Sequence, residues 1–460
     1  MNLKEITMER PFNRSVQGML CAALAIAMLA FVFLPQRACA DQIPAGWEAS
    51  NMKPIGYTDM DGRGGAFKMA IRHIGDKWYL YTGHLWNRGW SIVDVTDPAS
   101  PKVLKFVPWP QDNTWTIQME LHDNLMVTAL QRAQGRGWGG DPEKPFDEGV
   151  VLWDISDPVN PKQISHWKTG SLGIHRLGYP GGKYVNLAAN MPGFRGQILV
   201  FLDISDPKNP KEAGRWWEYG QKEGEPAPAT TISFHGPAII DGNTAYVGYS
   251  NEVLVLDISD ISHPKEISHL TMWPPFRGGI PVHDVQWFPD KKVLYAHSES
   301  TAGDNPDSAS CDEPYFLSGL IDVKDPSKPR LMSIFPTPVP PKNAPYHDFC
   351  GKGGRFGPHN ANLEYHLPDV EKPGNLVYAT YFNAGLRIFD IEDPHLPTEV
   401  GWFIPPAPTK RVGPIPIGTL VNQTEDVLVD TRGNIYITDK QWGLFVLRYT
   451  GKGQPPPTAH

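Results

Sequence analysis

Histidines recur at four separate places in this sequence, each just before a run of strand-forming residues. The stretches GIHRLGYPGG, TISFHGPAII, IPVHDVQWFP and FGPHNANLEY contain His175, His235, His283 and His359. Imidazole is the commonest protein ligand for transition metals, and it also exchanges protons near neutral pH. If the fold brings these side chains together, they form a site with chemistry of its own.

Three interpretations of the recurring histidine are open. The four side chains bind a metal, line a polar substrate site without metal, or serve only the structure of units that arose by duplication. Several imidazoles confined to a small space repel one another when protonated, unless a metal holds them, so we favour the metal. Imidazoles with one carboxylate suit iron, copper or zinc, whereas Ca²⁺ and Mg²⁺ prefer oxygen ligands.

A repeated phrase organises the chain that must position these histidines. It reads, in chain order, IVDVTDPASP, LWDISDPVNP, FLDISDPKNP, VLDISDISHP, LIDVKDPSKP and IFDIEDPHLP, and its first aspartates are Asp94, Asp154, Asp203, Asp257, Asp322 and Asp390. The β-branched residues that open each copy predict a strand. The Asp-Pro that follows predicts a turn, because proline fixes φ and aspartate accepts hydrogen bonds from turn N–H groups.

Each copy lies within a unit of four predicted strands, two before the strand that enters the phrase and one after the turn. Four antiparallel strands form one blade of a β-propeller. Six units cover residues 63 to about 404, and the tail supplies three more strands, to which MKPIGYTD (52–59) adds the fourth. We therefore predict an all-β chain, with one seven-bladed β-propeller over residues 41–460. Its last blade is closed by the N-terminal strand of the mature chain.

The repeated phrase resembles the LVIVD-repeat family of bacterial exported proteins over nearly the whole mature chain. That resemblance implies a propeller and leaves the function open. The Asp-Ile-Ser-Asp-Pro turn beside a histidine-bearing strand is also distantly similar to the selenium-binding-protein and methanethiol-oxidase propellers. This second resemblance favours redox chemistry.

The predicted propeller explains why the histidines recur at strand starts. Inner strands line the central channel, and their first residues meet at one mouth of it. The four histidines lie at or just before these starts, and Glu425 takes the place in the last blade. Second strands return to the same face, which brings His84, and His297 with Glu299, to the mouth. We predict the four histidines as metal ligands, Glu425 as a fifth ligand or orienting group, and His297 or His84 as acid or base.

The N-terminus predicts export. An apolar run, GMLCAALAIAMLAFVFLP, follows Arg10 and Arg14, and the small residues Ala38 and Ala40 mark a cleavage site. We predict a secretory signal peptide over residues 1–40 and a periplasmic or secreted protein with no stable membrane span after cleavage. Retention of the run as a single membrane anchor is the alternative.

Cleavage of the signal peptide changes which cysteines remain and the net charge of the chain. Cys311 and Cys350 remain after cleavage, and in an oxidising compartment they predict one disulfide, with thiolate metal ligation as the alternative. Loss of residues 1–40 removes four basic and two acidic residues, so the formal charge of −8 becomes −10. Because phosphate binding needs a basic face, this balance argues against a nucleic-acid partner.

These observations together predict an exported, metal-dependent enzyme that acts on a small molecule at a histidine-lined channel mouth. We place an oxidoreductase before a hydrolase. The alternative is a non-catalytic module that presents loops to a protein partner or a glycan, since propellers host many unrelated functions.

Overall fold

The computed structural model describes most of the predicted mature chain. The ranges described are residues 41–135, 138–229, 232–272, 280–302 and 318–453. Within them the regular structure is almost entirely strand, and the single helix there, α1 (Phe349–Lys352), is only four residues long. No helix in these ranges is long and apolar enough to cross a membrane. The signal segment and Cys311 lie outside the described residues, so the signal peptide and the Cys311–Cys350 disulfide stay predictions.

The described chain begins with two short strands and then forms a sheet of twelve. Strands β1 (Glu48–Ser50) and β2 (Met52–Thr58) come first. The twelve strands form three groups of four consecutive antiparallel strands. They are β3 (Ala66–Ile74), β4 (Lys77–His84), β5 (Gly89–Asp94), β6 (Lys102–Pro108), β7 (Thr114–His122), β8 (Leu125–Arg132), β9 (Gly149–Asp154), β10 (Lys162–Trp167), β11 (Gly173–Gly178), β12 (Tyr184–Asn190), β13 (Gln197–Asp203) and β14 (Lys211–Trp216). One residue pair joins β4 to β7 and another joins β8 to β11.

The second half of the chain forms four further sheets of four strands each within the described residues. Their strands are β15 (Ile239–Asp241), β16 (Thr244–Tyr249), β17 (Glu252–Asp257), β18 (Lys265–Thr271), β19 (Ile280–Phe288), β20 (Val293–Glu299), β21 (Ser318–Asp322), β22 (Arg330–Ile334), β23 (Leu376–Thr380), β24 (Leu386–Asp390), β25 (Thr398–Ile404), β26 (Thr424–Val429), β27 (Asn434–Asp439) and β28 (Gly443–Tyr449). The last two sheets each take one strand from the N-terminus: β1 pairs with β25, and β2 pairs with β28. The all-β prediction is confirmed.

The repeated phrase acts as the sequence predicts. Five of its first aspartates end the third strand of a four-stranded group, and Asp390 ends β24, the second of the three strands that its own unit supplies. At each of these positions the aspartate carboxylate accepts the backbone N–H two residues further on, as Asp94 does from Thr96 and Asp257 from Ser259. The carboxylate thus satisfies a turn N–H as the chain leaves the strand, so the phrase is a local device that ends one strand and starts the next.

Large aromatic side chains pack between the groups. The rings of Trp90 on β5 and Trp153 on β9 lie 5.5 Å apart and nearly perpendicular, and Trp109 contacts both. This edge-to-face contact between neighbouring groups is favourable for aromatic rings. A rigid packing of groups fixes where the ends of their inner strands meet.

Candidate metal centre

Three of the four predicted histidines lie near the starts of inner strands, whereas His359 lies in an irregular segment 17 residues before β23, where the predicted inner strand is not formed. His175 is on β11 and His283 on β19, whereas His235 and His359 precede β15 and β23. The segment of His359 is held in place by its backbone N–H, which donates to the carbonyl of Thr380 at 2.9 Å. Four different four-stranded groups thus supply one imidazole each.

The structure brings these four imidazoles into one continuous buried cluster. Ring centroids are 4.6 Å apart for His175 and His235, 4.3 Å for His235 and His283, and 4.9 Å for His283 and His359. All four side chains are buried. The distances are short enough for several ring nitrogens to reach one ion.

Glu299 lies at the centre of the cluster. This residue ends β20, and its carboxylate oxygens are 3.2 Å from Nε2 of His283, 3.6 Å from Nε2 of His359 and 3.8 Å from Nε2 of His235. Two sets of side chains in the described part of the chain bring ligand atoms within 4.8 Å of one another. They are His283, Glu299 and His359, and His235, His283 and Asp284.

The second ring nitrogens of two histidines face acceptors other than Glu299. Nδ1 of His283 lies 2.8 Å from the Asp284 carboxylate. Nδ1 of His359 donates to the backbone carbonyl of Glu425 at 2.8 Å and lies 3.3 Å from its carboxylate. A proton on each Nδ1 leaves the Nε2 lone pair directed at Glu299. Metal-binding histidines have this arrangement, in which the far nitrogen donates to a carboxylate or carbonyl.

His175 lies at the edge of the cluster. Its Nδ1 donates to the side-chain oxygen of Gln131 at 2.7 Å, and its ring contacts His235 and Trp115. It belongs to neither of the two sets of converging ligand atoms. Its predicted role as a ligand stays a prediction.

Two arginines occupy the same pocket, and the sequence analysis did not include them. Nη2 of Arg176 donates to Nε2 of His283 at 2.8 Å and to Nε2 of His359 at 3.3 Å. Arg355 pairs with Glu299, and its Nε donates to the carbonyl of Ser300 at 2.7 Å. Arg176 directly follows His175, which is the one signal in the sequence that could have placed it here.

Burial and charge set the ionisation of the cluster. Burial alone raises the pKa of Glu299, but Arg355, His359 and His283 outweigh it and hold that pKa well below its ordinary value. Burial lowers the pKa of His235 and of His359 well below the ordinary value of histidine. For His283, burial is outweighed by Asp284 and Glu299, so its pKa is raised. The ionised carboxylate of Glu299 thus faces two imidazoles that burial holds neutral, those of His235 and His359, and one imidazole, that of His283, whose charged form is favoured.

The three residues predicted to act as acid, base or orienting group lie in different surroundings. The ring of His297 on β20 is 5.4 Å from that of His283, so it borders the cluster. Glu425 contacts His359 and pairs with the buried Lys440, an arrangement that orients His359. His84 ends β4, and its hydrogen bonds go to Gly64, in the loop before β3, and to Ser91 on β5.

Comparison with known families identifies the repeat. The LVIVD repeat family matches residues 193–217, 239–271 and 368–403 of the chain. These segments include three of the six predicted copies of the phrase. No curated protein matches the sequence. The distant similarity to selenium-binding proteins therefore stays a hypothesis.

Two solved structures have a similar shape at low sequence identity. The periplasmic gluconolactonase of Pseudomonas aeruginosa has a TM-score of 0.50 and 10% identity, over 85% of this chain and 98% of that one. The Cps50 (Swd1) β-propeller domain of Myceliophteria thermophila has a TM-score of 0.49 and 10% identity, over 84% and 96%. At this identity such likeness shows the fold alone. The chain has a β-propeller fold with LVIVD repeats.

Proposed function

We propose that this protein is an exported metalloenzyme whose metal is held by His283, His359 and Glu299. The observation that carries the proposal is the convergence of two imidazole Nε2 atoms on one ionised carboxylate, while each Nδ1 faces an acceptor. His235 lies beside the set as a further ligand. Asp284 and Glu425 orient the two imidazoles.

The fold that carries this site is a seven-bladed propeller closed by its N-terminal strand. Support comes from the three groups of four strands in the large sheet, the four further sheets in the described ranges, and the pairing of β2 with β28. Residues 1–40 supply the signal for export to the periplasm or beyond. The substrate is a small molecule that enters at the channel mouth.

The donor set narrows the metal to iron, copper or zinc. Two histidines and one carboxylate with open positions are typical of non-haem Fe(II) oxygenases. Zinc hydrolases use the same donors, with a bound water in the open position. The predicted similarity to methanethiol-oxidase propellers favours the redox alternative, so we propose an oxidoreductase. In this oxidoreductase His297 exchanges a proton, because its ring lies 5.4 Å from that of the metal ligand His283.

Metal content tests the proposal. Mature protein purified without chelators or metal-affinity resin is expected to hold about one equivalent of Fe, Cu or Zn by mass spectrometry, directly or after reconstitution. A variant with both His283→Ala and His359→Ala is expected to lose the metal while its circular dichroism stays that of a β protein.

A matched double variant controls for the removal of two histidines. His263 and His395 are exposed and each lies beside an aspartate, so His263→Ala with His395→Ala should keep the metal. Metal retained after loss of His283 and His359 would contradict the proposed ligands. No metal in any of these proteins after reconstitution would favour the non-catalytic binding module.

Oxygen consumption then separates the two chemistries. Protein loaded with iron or copper is expected to consume oxygen in the presence of its small-molecule substrate, whereas zinc-loaded protein is not. Turnover supported by zinc without oxygen uptake would make the enzyme a hydrolase.

A further inference from the structure

Arg176 is a cation placed where the proposed metal ligands converge. Its Nη2 lies 2.8 Å from Nε2 of His283 and 3.3 Å from Nε2 of His359, so it donates to the two lone pairs that a metal needs. The side chain is only 3% exposed. A guanidinium stays charged at all physiological pH values, and like charges repel strongly in a buried site.

The protein compensates the charge of Arg176 only at a distance, since the guanidinium acts to lower the pKa of the Asp284 and Asp426 carboxylates without pairing directly with either. Its Nη1 donates to the side-chain oxygen of Asn360 at 3.3 Å, and its guanidinium lies 5.4 Å from the ring of Phe67. Its Nε has no hydrogen-bond partner within the described ranges. No carboxylate among the described residues forms an ion pair with it.

Another buried arginine of the chain shows the contrast. Arg355, in the same pocket, pairs with Glu299, so its charge is neutralised by the protein itself. A buried guanidinium without a carboxylate is costly unless another anion joins it. The unpaired Nε and the lack of a directly paired carboxylate among the described residues both indicate that the partner of Arg176 comes from outside the chain.

We propose that Arg176 binds an oxyanion of the substrate beside the metal, so that the metal and the anion bind cooperatively. This inference rests on the proposed metal centre and names its substrate class: a small molecule that carries a carboxylate or a tetrahedral oxyanion. The guanidinium fork matches the oxygens of both groups. An anion bound here neutralises the repulsion between Arg176 and the metal, and each ligand therefore raises the affinity for the other.

Zinc affinity measured with and without a simple anion tests the inference. Zn²⁺ is the probe because it has no redox chemistry, and formate and sulfate stand for the planar and the tetrahedral oxyanion. In the wild-type protein at least one of them is expected to raise the zinc affinity about tenfold, within the range typical of coupled sites. The anion that does so identifies the substrate class.

Variants of Arg176 assign the coupling to this side chain. Arg176→Met is expected to bind zinc more tightly than the wild type without anion, and to lose the response to anion. Arg176→Lys keeps the charge without the fork and is expected to keep part of the response, which also guards against a Met variant that does not fold. Arg330→Met removes an arginine that is 77% exposed and should behave as the wild type.

The outcomes separate the inference from the proposal on which it rests. Zinc that binds equally well with and without both anions would overturn the oxyanion site and leave the metal centre standing. If no zinc binds, the metal centre fails, and calorimetry with formate and sulfate alone decides the inference. Anion binding that is lost in Arg176→Met would then support it, and no anion binding would overturn it.

Discussion

Two buried histidines, His84 and His283, show how different roles arise from the same residue type. Both side chains are fully buried, and both lie on strands of the propeller. Nδ1 of His84 donates to the carbonyl of Gly64 at 3.2 Å, and its Nε2 accepts from the hydroxyl of Ser91 at 2.8 Å. His283 instead directs Nε2 at Glu299, another charged side chain.

The difference lies in the second ring nitrogen. At His84 the protein satisfies both nitrogens, as it does for most buried polar groups. At His283 this satisfaction is incomplete, since its Nδ1 has no hydrogen-bond partner among the described residues although the Asp284 carboxylate lies 2.8 Å away. Burial by itself thus does not distinguish His84 from a proposed ligand such as His283, whereas an unsatisfied nitrogen facing a carboxylate does.

The largest effect is expected at Glu299. Glu299→Gln removes the only proposed anionic ligand while keeping the shape of the side chain. We expect the metal affinity to fall on the order of 1000-fold, which is more than for a change at a residue that contacts a ligand and not the metal. Competition with a chelator of known affinity measures this. Glu212→Gln, at a partly exposed pair with Arg215, is the control. An unchanged metal affinity in Glu299→Gln would show that Glu299 is not a metal ligand, and it would weaken the contrast between His283 and His84.

The next effect is the pH dependence of the free energy of unfolding that arises from His84. Burial lowers the pKa of His84 to about 4, whereas in the unfolded chain it is near the ordinary value of 6.5. Between these pH values the unfolded state binds the proton and the folded state does not, so the free energy of unfolding falls as the pH falls. His84 alone accounts for about 3 kcal/mol of this fall.

His84→Asn removes this contribution, because the asparagine amide donates to Gly64 without titrating. Urea unfolding at pH 4 and pH 7 should show a smaller difference for His84→Asn than for the wild type. The exposed His395→Asn should show the wild-type difference. The metal affinity should stay that of the wild type, and a loss of metal in His84→Asn would erase the distinction between the two histidines.

A smaller effect is expected from the acceptor beside His283. Asp284→Asn keeps an oxygen near Nδ1 of His283 but removes the negative charge. Changes at a residue that holds a metal ligand in place lower the metal affinity about 10–100-fold. Asp123→Asn alters an exposed aspartate that lies 3.1 Å from His122, and it should have no effect on the metal. Equal affinities for the two variants would show that Asp284 does not support a ligand.

The smallest effect is expected at Ser91. Ser91→Ala removes the donor to Nε2 of His84 and should lower the free energy of unfolding by about 1–2 kcal/mol, since a buried acceptor is left without its partner. Thermal unfolding measures this, and the metal content should not change. If Ser91→Ala made His84 bind a metal, then one ring nitrogen without a hydrogen-bond partner, here Nε2, would be enough to create a metal site.

Much of the fold could be predicted because its signals are local. The turn at Asp257 needs only that aspartate and the N–H of Ser259 two residues later, so the sequence itself contains both partners. The sequence also predicted that an N-terminal strand completes the last group of four, as β2 does by pairing with β28. The tail supplies only three strands, and the N-terminus supplies a matching fourth. Part of the site was predictable as well, since the repeated units place histidines such as His283 near the starts of strands.

The remainder of the site depends on register and side-chain direction. The pairing of β19 with β20 shifts between Ile280 and Asp284, and such a bulge alters the side-chain alternation of a regular strand. Alternation along the sequence therefore could not tell that His283 and Asp284 both serve the cluster. The sequence analysis expected Glu425 as the carboxylate at the strand starts, and Glu299 lies at the centre because the end of β20 returns to the same face.

The sequence by itself determined the all-β architecture, the turns and the recurrence of histidine, because each depends on residues close together in the chain. The tertiary structure alone decided which carboxylate meets the imidazoles and that Arg176 lies among them without a carboxylate of its own. Those contacts join residues from different parts of the chain, and Arg176 and His283 are 107 positions apart. Their geometry follows from how the sheets pack, which no local pattern encodes.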